Sequence, residues 1–112
     1  MVKFLAILYK KPGISDEEFF KHWREIHAPL VAKLPFGVVK YKQDHLVKIP
    51  GIEYEDKDLL GIAEVWHDSI ESFEKFVAWR ETSDAKYFVD DENSFIDMSR
   101  IKHYRVEEHA IV

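Results

Sequence analysis

Six histidines, twenty-one carboxylates and five tyrosines, with no cysteine, are the groups from which this chain can build chemistry. Without thiols there are no disulfides, zinc–thiolate sites, iron–sulfur clusters or thiolate nucleophiles. Any reaction must run on imidazole, carboxylate, phenol or a borrowed cofactor. The most informative group is His27, which falls on the apolar stripe of a helical pattern. Such a ring is either a core histidine satisfied by a carbonyl or an acid–base group facing a cavity. Burial favours neutral imidazole, which can take or give a proton near neutral pH.

Tyr41, Gln43 and His45 form a second constellation. Alternate side chains on one strand face stand about 7 Å apart, so the three make a polar row. It is either a solvated or subunit-edge face, or a pocket wall flanked by the apolar Val39 and Val47. Gly61 and Ala63 stand between Leu59 and Val65 on a third strand. Their small side chains leave room that Phe20, Trp23 or Phe76 fills, or that a ligand occupies. His67 ends the same face. Glu64 interrupts the opposite face, among Leu60, Ile62 and Trp66, and must find a cation; the expectation is a structural pair across a subunit interface. HxH and HExxH spacings are absent, and an ideal helix points His22 and His27 to different sides, so no metal site is expected. The four glycines are isolated, which excludes a phosphate-cradling loop.

The elements that must hold these groups can be read from periodicity. Val2–Tyr9 is a strand, apolar on both faces, that stops at Lys-Lys-Pro-Gly. Ser15 and Glu18 make a capping box, and the helix it opens runs to about Leu34. Its stripe is Phe19, Phe20, Trp23, Ile26, Leu30, Val31 and Leu34, with Pro29 removing a hydrogen bond beside His27. A second strand runs from Val38 to about Ile49, an acidic loop follows Pro50-Gly51, and Leu59–His67 is a third strand. Asp68 or Ser69 caps a second helix, with Glu71 completing a box and Ile70, Phe73, Phe76 and Val77 facing inward. Ala85–Val89 forms a short helical turn, Asp90-Asp91-Glu92-Asn93 reads as a loop, and about His103–Ile111 is the fourth strand.

The order β-α-β-β-α-β is that of an α+β, ferredoxin-like fold, an antiparallel four-stranded sheet with both helices on one face. A length of 112 residues with 46% hydrophobic and 14% aromatic side chains fits one compact domain spanning 1–112. A net charge of -5 argues against nucleic acid or an anionic membrane as partner. No apolar run nears the ~20 residues of a membrane span and the Met1 end does not read as a signal peptide. A soluble, cytoplasmic protein is expected. Leaving Leu60, Ile62 and Trp66 in water would expose an unusually large apolar patch, so a homodimer, sheet against sheet about a two-fold axis, is expected as well.

The run FLAILYKKPGISDEEFFKHWREIHAPL resembles the EthD family of the dimeric α+β barrel superfamily. It carries the likeness at Phe19, Trp23 and the His-Ala-Pro-Leu of His27–Leu30. The Tyr41 strand, Glu64-Val65-Trp66 and Glu107-Glu108-His109 extend it over essentially the whole chain. The resemblance implies the ferredoxin-like fold, the sheet-to-sheet dimer, and a cavity between sheet and helices in each subunit. Relatives act on small cyclic or aromatic compounds. They include an accessory protein of ether degradation, polyketide-tailoring enzymes, and a methylmuconolactone isomerase with a histidine matching His27. That isomerase carries Cys where this chain has Val65, so its reaction does not transfer. His67 stands where relatives commonly carry Phe.

The reading implied is a cofactor-free protein binding a small apolar, carbonyl-bearing or aromatic molecule. His27 and Tyr41 would do acid–base chemistry of isomerase, dehydratase or monooxygenase type. Trp23, Gln43, His45, Gly61, Ala63, Val65 and His67 would shape the pocket. The alternative is a non-catalytic accessory protein serving a partner oxygenase in ether or aromatic degradation.

Overall fold

The first helix begins where its cap chemistry dictates. Ser15 Oγ accepts the Glu18 N–H at 3.0 Å, and Glu18 reaches back to the Ser15 N–H, so α1 (Asp16–His22) starts with both orphan donors satisfied. A computed structural model describes all 112 residues. β1 (Val2–Tyr9) precedes α1; a π turn (Trp23–His27) and α2 (Ala28–Ala32) continue the helical segment. Next come β2 (Val38–His45), β3 (Leu59–His67), α3 (Ile70–Arg80), a 3-10 turn (Ser83–Ala85), α4 (Lys86–Phe95) and β4 (Lys102–Val106). The sheet order is β2-β3-β1-β4, with every neighbouring pair antiparallel. This is the ferredoxin-like α+β arrangement. No helix is long and apolar enough to cross a membrane.

β1 and β3 register Phe4 against Val65, Ala6 against Ala63 and Leu8 against Gly61, the row beneath the helices. Above it, Leu8, Phe19, Trp23, Leu60, Ala63, Phe95 and Ile96 form the main core, and Val31, Leu34 and Phe88 a second cluster. Leu60 departs from the expected alternation. The β1–β3 register slips between Leu8 and Tyr9, and the bulge leaves Leu60 in the core, 1% exposed, instead of on the open sheet face. A second slip, between Val38 and Lys40, leaves Val39 53% exposed. Val38 takes its place in the cavity wall.

Strand lengths follow from what each strand can pair with. β2 ends at His45, short of Ile49, because its partner begins only at Leu59, and Val47 lies exposed beyond it. β4 ends at Val106, short of Ile111, because Lys3 at the start of β1 is its last partner. At α3 the cap is Ser69, which accepts from the Ser72 N–H at 3.1 Å, and Glu71 takes no part.

The largest departure concerns Asp90–Asn93. These residues are helical, inside α4, and not a loop. Phe88, Asp91, Glu92 and Phe95 recur at the three- and four-residue spacing of a buried helix face, and acidic side chains at two of those positions masked the period.

The open sheet face is less bare than alternation implies. Trp66 is buried, with the ammonium groups of Lys3 and Lys40 4.5 and 4.8 Å from its ring centroid. Glu64 pairs within its own chain, Oε1 lying 2.7 Å from Lys3 Nζ. That internal partner holds the Glu64 carboxyl below its usual range, helped by Asp44.

Candidate functional site

Pro29 sets the site's geometry. It has no N–H for the Glu25 carbonyl and crowds the preceding turn. The helix widens there, with the Ala28 N–H bonding to the Trp23 carbonyl five residues back. α2 then restarts with Pro29 in its first turn, where a missing donor costs least. The wider turn also rotates side chains, leaving Ile26, assigned to the apolar stripe, 52% exposed. In an unbroken α-helix His22 and His27 would stand about 140° apart around the axis. Here both reach one carboxylate.

That carboxylate is Asp91 of α4. His27 Nδ1 lies 2.9 Å from Asp91 Oδ2, and His22 Nε2 lies 2.8 Å from Oδ1. His22 therefore does not point into bulk water, as an ideal helix implies. A carboxylate only accepts, so His27 donates through Nδ1–H and its Nε2 carries no proton. The His27 side chain is 7% exposed, packed at ring distances of 5.3 Å from Phe88 and 5.2 Å from Phe95. Burial depresses its basicity, opposed by the bond to Asp91. The result is an imidazole kept neutral at rest, with a carboxylate placed to stabilise the imidazolium formed when it takes a proton.

His27 lines a cavity of about 370 Å³ between the sheet and the helices. Most of the wall is hydrocarbon, including Phe4, Val31, Val65 and Phe76. Trp23, Tyr41, Ala63, Val65 and His67 also line it, whereas Gln43, His45 and Gly61 do not. At Gly61 the reason is steric: a Cβ would fall 2.5 Å from Trp23 Cζ3, so the indole occupies the space that the small residue leaves.

The polar row on β2 is a continuous chain. Gln43 Nε2 donates to the Trp23 carbonyl and to the Tyr41 hydroxyl, both at 2.9 Å, and Gln43 Oε1 lies 2.8 Å from His45 Nε2. His45 stacks on Phe20 and Trp23. The row thus braces the π turn, and Tyr41 is its one member that also lines the cavity. Burial raises the Tyr41 phenol above its ordinary value, so it keeps a proton to donate. His67 is 2% exposed and donates Nδ1–H to the Phe36 carbonyl at 2.7 Å, leaving its Nε2 as acceptor. Gly37 makes this approach possible: it adopts φ +67°, and a Cβ there would strike the Asp68 carboxylate.

Sequence reasoning missed five polar neighbours: His22, Asp91, Arg80, Glu92 and His103. Arg80 Nη1 lies 2.7 Å from Glu92 Oε1 at the cavity wall. Burial raises the Glu92 carboxyl against the pull of Arg80. His103 of β4 lines the same wall, its basicity lowered by desolvation and by Arg80. The Phe88–Phe95 spacing was the available signal for the α4 residues. Nothing local marks Arg80 or His103.

Residues 11–99 match the family model described as the EthD domain. Over 42 residues the chain is 40% identical to the dehydratase aurZ of Gibberella zeae, a match covering 36% of this chain and 28% of that protein. The chain therefore spans well under two thirds of that relative. Among solved structures, an EthD family protein from Bacillus halodurans superposes with a TM-score of 0.67 at 25% identity, covering 97% of this chain and 100% of the other. The hydroxynitrile lyase of Passiflora edulis gives 0.64 at 13% identity, covering 97% and 95%, a likeness of fold.

Proposed function

This chain belongs to the EthD family, and on that premise we propose that it is a cytoplasmic, cofactor-free acid–base protein acting on a small apolar compound that bears an activated carbonyl or aromatic oxygen. The observation that carries the reading is the His27–Asp91 pair, a buried imidazole in the wall of an apolar cavity with its Nδ1 committed to the carboxylate. In the reaction, His27 Nε2 removes a proton from the α-carbon, next to the carbon that bears the ligand oxygen. Tyr41 donates a hydrogen bond to that oxygen as charge builds on it, and Asp91 balances the imidazolium. Returning the proton to the substrate at another atom completes an isomerisation. Delivering it to a departing hydroxyl completes a dehydration. The match to a dehydratase and the fold shared with a lyase favour the eliminating direction.

The working unit is a homodimer joined through the open sheet face. Ile62, half-buried in one chain, lies on that face, with Trp66 under its two lysines. Light scattering should report twice 13.3 kDa at micromolar concentration, and a 13.3 kDa species would remove the dimer.

The chemistry is tested with 1-tetralone, a bicyclic ketone with exchangeable α-hydrogens. The protein should accelerate α-proton exchange with D2O, and His27→Ala should abolish the acceleration while binding persists in chemical-shift titrations. Equal exchange by wild type and His27→Ala would refute the base. Stoichiometric binding without exchange would instead assign the accessory role.

A further inference from the structure

We infer that His22 is a positioning residue for His27, acting through Asp91: it pins the far oxygen of the carboxylate so that the near one holds His27 in the Nδ1–H form. The inference rests on the acid–base reading above for its purpose, and on geometry alone for its content. Asp91 spends one oxygen on each ring, at 2.8 Å to His22 Nε2 and 2.9 Å to His27 Nδ1. A carboxylate held at one point can swing about its own side-chain torsions, whereas one held at both oxygens has its plane fixed.

The arrangement is built from both sides. His22 ends α1 and His27 ends the π turn, so the turn that breaks helical register is what brings the two rings to one acceptor. From α4, Ser94 Oγ donates to the Asp91 carbonyl at 2.6 Å and lies 3.3 Å from His22 Nε2. The His22 ring packs 4.6 Å from Phe95, the ring that also contacts His27. His22 is the more exposed of the pair, at 24% against 7% for the side chains. It is not among the residues lining the cavity beside His27, which separates its role from that of the base.

His22→Phe removes the N–H and keeps an aromatic ring against Phe95; His22→Gln restores an N–H near the position of Nε2. Long-range proton–nitrogen spectra at pH 8, above the depressed range of His27, read its tautomer directly. In wild type His27 should be dominated by Nδ1–H. In His22→Phe the Nε2–H share should rise about tenfold, the scale of one hydrogen bond lost, and His22→Gln should return it to the wild-type level. An unchanged tautomer in a folded His22→Phe protein overturns the proposal, as does failure of His22→Gln to rescue it. If His22→Phe does not fold, Ser94→Ala together with His22→Gln supplies the comparison: the Nε2–H share should stay at the wild-type level, and a rise with the His22-side N–H still present counts against the assignment. Because the spectra need no substrate, inert 1-tetralone would defeat the acid–base reading while leaving this test decisive.

Discussion

Replacing Asp91 by Asn preserves the shape of the site and removes its charge. The carboxylate accepts from His27 Nδ1 at 2.9 Å and from His22 Nε2 at 2.8 Å. An amide has one accepting oxygen, so one of the two histidines must invert its tautomer or lose its bond. Two charge-assisted hydrogen bonds, each worth about 1.5–3 kcal/mol, become at best neutral ones. For His27 the two influences that raise its proton affinity both come from Asp91, whereas desolvation, His22 and Arg80 all lower it. The mutation therefore pushes His27 further below its ordinary value of 6.5.

The sign of the stability effect follows. His27 binds its proton less readily folded than unfolded, so its contribution is intact above 6.5 and is lost as pH falls toward the depressed folded value. Asp91→Asn should deepen that acid loss. A weaker base without its counter-charge should slow 1-tetralone exchange by about 10²–10⁴-fold, the range typical of a positioned acid–base group. Histidine titration by NMR and denaturant melts from pH 8 to 5 check both parts. A His27 that titrates unchanged or higher in Asp91→Asn, or an exchange rate equal to wild type, refutes the reasoning.

Tyr41→Phe should leave the fold intact, cost about 0.5–1.5 kcal/mol through the lost bond from Gln43, and slow exchange more than it weakens binding, as a split between kcat and KM. Gly61→Ala should destabilise by about 1–3 kcal/mol, because its Cβ meets the Trp23 ring; urea melts showing no loss would mean the indole moves freely. Trp66→Glu should yield monomers in light scattering without loss of helical circular dichroism, since the ring belongs to the open face and not to the main core. His67→Phe should retain binding of an apolar probe such as naphthalene, read by chemical-shift titration, because the ring already packs edge-on to Phe4 and Phe73.

How far the site could be read in advance depended on how local its determinants are. Ser15, Ser69 and the apolar run Leu59–His67 specify their elements within a few residues, and these appear where periodicity places them. The order of strands and helices, and with it the ferredoxin-like fold, follows from such local signals. The errors of side-chain facing share one physical origin, a surplus residue absorbed into a regular element. At Val39 and Leu60 a bulge shifts the alternation by one, and at Trp23–His27 a π turn shifts helical phase. Each sends side chains to the face opposite the expected one. Asp91 was hidden differently. Its acidity argued for solvent, and only the rings 64 and 69 positions away in sequence explain why a carboxylate is worth burying there.

The Trp23 carbonyl accepts both the Ala28 N–H and the side-chain amide of Gln43. A kink that is free to relax would let the histidine that follows it wander with the helix. Stitched to the second strand at that carbonyl, the kink takes its bearings from the β-framework instead. Breathing of the outer helical layer should thus leave the aim of the imidazole largely untouched, and thermal loosening of the protein should unseat Asp91 and α4 before it displaces His27 from the sheet.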